Sequence, residues 1–390
     1  PGVFDTVDEA IQAAKVAQER FEDCTLATRE KVIADIRAAM RPRVQELALK
    51  TVEETGMGRV ADKVLKLNLT LDKTPGVEDL VTECETGDNG MTLYELSAYG
   101  VIGAITPSTN PAETLICNTI GMLAAGNAVF FSVHPGAKHL SRLLVSELNQ
   151  IISKSIGIEN LIVTLSEPSI ESAQEMMVHP DVSLLVVTGG PGVVKQALQS
   201  GKKVIGAGAG NPPAFVDETA DIKKAAQDIV LGASLDNNIL CIAEKSVVAM
   251  RQIEPQLVQE MVRVGCVLVE NQQDIQRLVD LTVLPNGTPN KKFVGKNASV
   301  ILDAAHIPYN GDPRLIIMRT PKNHPFAVIE MLMPILPVVT VDSFDEGLDV
   351  CLMLEAGLHH TATMHSLNME RLNRMARKMK TSIFVKNGPS

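Results

Sequence analysis

The chain has 390 residues, 45% hydrophobic and 21% charged, which is ample material for a core and excludes a disordered chain. A net charge of -10 disfavours a nucleic-acid binder, whose footprint would be a basic face, so no nucleic-acid partner is expected. At roughly 100–200 residues per domain, two lobes are the expectation.

Tryptophan is absent and aromatics make up 3%, so the core is expected to be aliphatic. The cysteines at 24, 84, 117, 241, 266 and 351 include no C-x-x-C pair, so neither a metal site nor a disulfide framework is suggested. A reducing cytoplasm is the expected home. No apolar run reaches the length of a membrane span, and none reads as a cleavable signal, so no membrane partner is expected. Lys202-Lys203 and Lys291-Lys292 are local basic pairs that an acidic ligand would need.

The first third reads as helix. "DTVDEAIQAAKVAQERFEDC" and "TREKVIADIRAAMRPRVQELALKTVEETG" carry helical spacing, with Thr6 and Thr28 as N-caps and Gly56 as a stop. "MTLYELSAYG" alternates like a strand, and "VIGAIT" is an apolar run that ends in the loop "PSTNP". Helices then alternate with the continuous apolar strands "AVFFSV", "NLIVTL", "VSLLVVTG" and "KKVIGAG". This pattern predicts a parallel sheet with helices on both faces, a doubly wound, nucleotide-binding architecture. The rhythm restarts after "NPPAFVDETAD", with "KSVVAM", "SVILDA", "RLIIMRT", "TATMHS" and "SIFVKN" read as strands. The lobes are therefore set at 1–216 and 217–390, with Cys241 early in the second and facing the first.

Several stretches could carry chemistry. Cys241, in "DNNILCIAEK", is either a small packed hydrophobe, the ordinary case for an isolated cysteine, or a nucleophile that needs a thiolate-favouring environment, and the polar triplet before it and the lobe junction weigh against plain packing. "TPSTNP" holds Asn110 between two prolines, either as a preorganised amide donor for an oxyanion or as a turn residue bonded to its own backbone. "VTGGPGV" follows a strand and opens a helix, where glycines let a phosphate approach the backbone. "GAGAGNPP" implies a backbone passing close to something else. His360, in "LHHTATMHS", is either a base near neutrality or the packed start of a strand. The other five cysteines read as structural, with Cys117 and Cys351 on apolar helical faces.

"TPSTNP", "MLAAGNAVFFSVHPGAK", "VTGGPG", "GAGAGNPP", "DNNILCIAEK", "MPILPVV", "HHTATMHS" and "SIFVKNGPS" occur in an order that resembles the aldehyde dehydrogenase superfamily. The likeness is to its CoA-acylating branch, the propionaldehyde and acetaldehyde dehydrogenases of propanediol and ethanolamine utilisation. It implies an α/β fold of two doubly wound lobes, a Rossmann-like cofactor lobe and a catalytic lobe, with a β oligomerisation arm that includes residues 88–100. It makes Cys241 the nucleophile, Asn110 the oxyanion donor and Glu330 the holder of the nicotinamide ribose. The cofactor-binding set is completed by Thr106, Pro107, His134, Pro135, Gly136, Thr188, Gly189, Gly190, Gly206, Ala207 and Gly208.

Hydrolytic relatives typically carry a glutamate that activates the deacylating water. Aligned on Asn211-Pro212, its place is taken here by Gly206, which leaves the acyl group to the thiol of coenzyme A, with His360 as candidate base. The resemblance thus implies oxidation of a short aldehyde, propanal or acetaldehyde, to acyl-CoA with NAD through a cysteine thioester, by ping-pong kinetics. His134 stands where hydrolytic relatives usually have a ribose-binding lysine, so NADP stays open. It also implies a homo-oligomer, dimer or tetramer, a further segment after "NGPS", and encapsulation in a bacterial microcompartment by contact with shell proteins. A hydrolytic dehydrogenase and a non-catalytic nucleotide-binding scaffold are the competing readings, disfavoured by Gly206 and by intact Cys241, Asn110 and Glu330 respectively.

Overall fold

The computed structural model describes residues 1–390. Contacts divide the chain into two compact units, Pro1–Thr55 with Lys63–Gly208, and Gly56–Asp62 with Ala209–Ser390. The chain opens with β1 (Val3–Phe4), α1 (Val7–Glu22), α2 (Leu26–Met40), α3 (Val44–Thr55) and α4 (Val60–Lys73). β2 (Glu83–Gly87) and β3 (Gly90–Tyr94) form an antiparallel hairpin exposed at every position. Strand and helix then alternate through β4 (Val101–Thr106), α5 (Pro111–Ala124), β5 (Ala128–Val133), α6 (Lys138–Ile156), β6 (Ile162–Leu165), α7 (Ile170–Val178), β7 (Val182–Thr188), α8 (Pro191–Gln199) and β8 (Lys203–Ala207).

The sheet of this unit runs β1-β6-β5-β4-β7-β8, parallel throughout. β4, β5 and β6 are buried at every residue, which is why they read as unbroken apolar runs. From β4 the chain steps outward through β5 to β6 and then returns to β7 on the other side of β4. That reversal creates a topological switch point, and ligands of such sheets bind beyond the strands' C-terminal ends there.

The second unit contains β9 (Pro213–Val216), α9 (Ile222–Ser234), β10 (Ser246–Met250), α10 (Glu254–Arg263), β11 (Cys266–Leu268), α11 (Gln272–Thr282), α12 (Ala298–Ala304), β12 (Leu315–Arg319), α13 (Pro325–Val328), β13 (Ile335–Val341), α14 (Phe344–Glu355), β14 (Thr361–His365), α15 (Met369–Met379) and β15 (Ile383–Lys386). Its sheet, β11-β12-β13-β10-β9-β14-β15, is also parallel. The core is aliphatic apart from a few phenylalanines, such as Phe215 stacked on Phe344 at 5.7 Å. No helix is long and apolar enough to cross a membrane.

Some local expectations change. "SVILDA" is helix α12 rather than a strand, because its buried residues, Ala298, Ile301 and Leu302, recur at helical spacing. Thr25, not Thr28, caps α2, and the Thr28 N–H is the group it accepts. Cys117 is exposed on α5, while Cys351 is buried as expected. The sequence boundary at 216/217 lies one strand beyond the contact seam at 208/209, because β9 hydrogen-bonds between β10 and β14. β13 carries Pro337 in the interior of its sheet, a residue that argues against a central strand until neighbours on both sides are seen.

Candidate active site

In the second unit, α9 ends at Ser234 and the chain turns through Asp236, Asn237 and Asn238 at φ of 50°, 57° and 63°. Three successive left-handed residues without a glycine are unfavourable by up to ~1–2 kcal/mol each, least for Asn and Asp. Their side chains supply the compensation. The Arg59 N–H donates to Asp236 Oδ1 at 2.8 Å, and the Arg59 guanidinium to Asn237 Oδ1 at 3.0 Å. Asn237 Nδ2 donates to the Gly295 carbonyl at 2.9 Å and to Asn297 Oδ1 at 2.8 Å. Asn238 Nδ2 donates to the carbonyls of Ala233 at 2.7 Å and Glu244 at 3.0 Å. All three residues are fully buried. At about 1 kcal/mol per bond, and more for leaving a buried group unpaired, these bonds outweigh the strain. The polar triplet is therefore internal scaffolding that delivers Cys241 to a defined place.

Cys241 is half-buried, and burial pushes its thiol above the usual cysteine range although the Lys245 ammonium pulls it down. Glu330 opposes Lys245. The expected thiolate-favouring surroundings are thus offset by desolvation, and the resting thiol keeps its proton. Lys245 is buried, with Nζ donating to the carbonyls of Asn238 at 3.0 Å and Leu240 at 2.7 Å. Burial brings its ammonium down to about 8, against the carboxylate of Glu330 and the Cys241 sulfur. Burial also raises Glu330, and Lys245 and a 3.1 Å bond from the Gly210 N–H hold it back. Glu244 is wholly buried and pushed up to about 7 by desolvation.

His360 lies beside this group. A Cβ built on Gly210 would stand 2.6 Å from the Cys241 carbonyl oxygen and 2.9 Å from His360 Cγ, so the cysteine's main chain and the imidazole both press on one glycine. The His360 N–H donates to Glu355 Oε1 at 3.1 Å, and its Nδ1 lies 2.9 Å from Thr361 Oγ1. Burial first and Lys245 second hold the imidazole below its usual value, with Glu355 opposing. It is neutral at neutral pH, able to accept a proton. The structure thus brings Cys241, His360, Glu330 and Lys245 together around Gly210.

In the first unit the cofactor candidates line the C-terminal ends of adjacent strands. Thr106 ends β4, His134 follows β5, Thr188 ends β7, and Gly206 and Ala207 end β8. Pro107 follows Thr106 in the loop before α5, and Gly208 follows β8. Thr106 Oγ1 is buried without a hydrogen-bond partner at the switch point. His134 Nδ1 accepts from the Gly136 N–H at 3.0 Å across a tight turn that includes Pro135. Gly189 donates to the Ala207 carbonyl at 3.2 Å, and Gly190 is the N-cap of α8 with open space around its Cβ position. An orphaned hydroxyl at strand ends beside an open glycine turn fits a dinucleotide. Asn110 is the N-cap of α5 but makes no capping bond; its Oδ1 accepts from Lys66 Nζ instead.

Gly210, Lys245, Lys66 and Glu113 were not singled out from sequence. Only Gly210 had a signal, the small-residue run "GAGAGNPP" that implies close approach of backbone. The lysines and Glu113 look like ordinary helix or strand-edge charges until their burial is seen. No three His, Cys, Asp or Glu side chains are gathered as a metal would require.

The family model described as aldehyde dehydrogenase family matches residues 4–390. The chain is 51% identical over 390 residues to the propanal dehydrogenase (CoA-propanoylating) of Citrobacter freundii, covering 100% of this chain and 84% of that protein. It is similar to the crystal structure of the Rhodopseudomonas palustris propionaldehyde dehydrogenase with bound CoA and an acylated cysteine, at TM-score 0.97 and 47% identity, covering 100% of this chain and 89% of the other. A propionaldehyde dehydrogenase from the Clostridium phytofermentans fucose utilisation bacterial microcompartment matches at TM-score 0.97 and 46% identity, with 100% and 89% coverage.

Proposed function

This chain belongs to the aldehyde dehydrogenase family, and from that premise we propose the substrates and the residue roles of its reaction. It is an oxidoreductase of the CoA-acylating branch, using NAD(P) and coenzyme A. Propanal is the proposed aldehyde, supported by the propanal and propionaldehyde activities named for its relatives.

Cys241 gives up its thiol proton to solvent and the thiolate adds to the aldehyde carbonyl, the oxyanion being held by the Asn110 amide and the Cys241 backbone N–H, donors of a kind typically worth ~3 kcal/mol each. Glu330 would hold the nicotinamide through its ribose, and that ring, when bound, would supply the hydride acceptor. A thioester remains on Cys241, and the sulfur of coenzyme A collects the acyl group after His360 takes the thiol proton. The observation that carries the reading is the half-buried Cys241 sharing Gly210 with a neutral imidazole. The hairpin of β2 and β3, exposed throughout, is proposed as the arm that joins subunits into a homo-oligomer. The likeness to a microcompartment enzyme supports location inside such a compartment with shell proteins as partners.

The test is reduced-cofactor formation from propanal and from acetaldehyde, with NAD and with NADP, each with and without coenzyme A. Sustained turnover only with coenzyme A, and faster with propanal, is expected; free acid forming as fast without it would overturn the reading. For His360, the deacylation rate should fall with acid only below pH 6.5, because burial and the Lys245 charge lower its proton affinity. In His360→Gln that limb should vanish, with a loss of about 10²-fold. A pH profile of the CoA half-reaction unchanged by the substitution would remove His360 from the mechanism.

A further inference from the structure

α4 buries two lysines one turn apart. Lys63 is 0% exposed and Lys66 7% exposed, and both reach the loop in front of α5. Lys63 Nζ donates to the Thr109 carbonyl at 3.2 Å, and Lys66 Nζ donates to Asn110 Oδ1. Lys66 also lies 3.2 Å from Glu113 Oε1, on the first turn of α5, with both side chains more than nine-tenths buried. Neither Glu113 oxygen has an aligned hydrogen bond, so Lys66 is its counter-charge in geometry while the bond itself goes to Asn110.

An asparagine at an N-cap ordinarily turns its oxygen onto the helix's first N–H groups. Asn110 does not, and the ammonium explains why. Lys carries donors and no acceptor, so the atom facing it must be the amide oxygen, which forces the NH2 the other way. One of those hydrogens meets Thr109 Oγ1 at 3.2 Å, and the amide retains a second. A cation on the oxygen also polarises the amide and makes its N–H a stronger donor.

We propose that Lys66 is a positioning residue that turns and polarises the Asn110 amide so that its N–H faces the developing oxyanion, with Glu113 compensating the buried charge. The inference rests on the reading of Asn110 as oxyanion donor. Removing Lys66 alone leaves Glu113 buried and unpaired, which threatens folding, so the decisive variant is Lys66→Met/Glu113→Gln, which removes both charges.

The experiment measures single-turnover formation of reduced cofactor at saturating and limiting aldehyde for wild type, Asn110→Ala, Lys66→Met/Glu113→Gln, Lys66→Gln/Glu113→Gln, and the combination of Asn110→Ala with Lys66→Met/Glu113→Gln. Asn110→Ala should slow the step by about 10²-fold or more. Lys66→Met/Glu113→Gln should slow it by roughly 10-fold or more with little change in KM, since an interaction made only in the transition state is weakened. Lys66→Gln/Glu113→Gln, which removes both charges but keeps a donor for the amide oxygen, should recover part of the loss. The combined variant should be no slower than Asn110→Ala, because the two act as one unit. A fast Lys66→Met/Glu113→Gln beside a slow Asn110→Ala, or losses that multiply in the combination, would overturn the Lys66 proposal. A fast Asn110→Ala would instead overturn the oxyanion reading.

Discussion

Cys241→Ser is expected to abolish CoA-dependent aldehyde oxidation, with a fall on the order of 10⁴-fold or more, as for loss of a nucleophile elsewhere. Serine is nearly isosteric, so the loop that Asp236, Asn237 and Asn238 hold should keep its form, and stability should change by less than about 1.5 kcal/mol. What is lost is the chemistry. A hydroxyl ionises far less readily than a thiol, and Lys245 acts on whichever group stands there against strong desolvation. Within the same unit no other sulfur can substitute. Burial alone drives Cys266 up to about 12, and it drives Cys351 up as well, with no cation beside either. Intact mass after exposure to propanal and oxidised cofactor, without coenzyme A, should show one acyl group on wild type and none on Cys241→Ser. Acylation of the variant, or activity above a tenth of wild type, would place the nucleophile elsewhere.

Gly210→Ala should be nearly as damaging although the substitution adds only a methyl group. The new Cβ would fall 2.6 Å from the Cys241 carbonyl oxygen and 2.9 and 3.0 Å from His360 Cγ and Cδ2. Neither neighbour yields cheaply. The first is backbone three residues after a strained turn held by several side-chain bonds, and the second is an imidazole whose residue is tied to Glu355 and Thr361. Displacement of the reacting groups by about 1 Å costs on the order of 10²-fold in rate, and overpacking costs about 1–3 kcal/mol of stability. Steady-state kinetics for aldehyde and for coenzyme A, alongside a urea transition, separate these effects. Gly121→Ala on α5 is the control: its Cβ meets nothing within 4 Å, so it should gain about 0.5–1 kcal/mol with kinetics unchanged. Equal behaviour of the two variants would show that the contact at Gly210 does not govern the site.

These two positions also mark how far sequence reading reaches. Cys241 could be singled out as a candidate without coordinates, because a cysteine behind a polar triplet within a family-wide order of segments is a one-dimensional pattern. The meaning of "DNN" could not. As letters it is a polar triplet; in the fold its three residues are wholly buried and left-handed, Asp236 and Asn237 bonded to segments as distant as Arg59 and Gly295 and Asn238 to the nearby Ala233 and Glu244 carbonyls. Lys66 and Glu113 are similar, since a charge on a helix is solvated by default, and only the packing of α4 against the loop before α5 turns them into a buried pair holding Asn110.

By itself the sequence determined the parallel α/β architecture, because strands buried on both faces must be continuous apolar runs and their connecting helices must be amphipathic. It likewise singled out Cys241 and showed Gly206 where the resemblance places the glutamate of hydrolytic relatives. Only the tertiary structure decided which charges are desolvated, which amide oxygen meets which ammonium, and that His360 and the Cys241 carbonyl share one glycine. Those properties depend on distances between residues far apart in the chain, and neither spacing nor composition contains a distance.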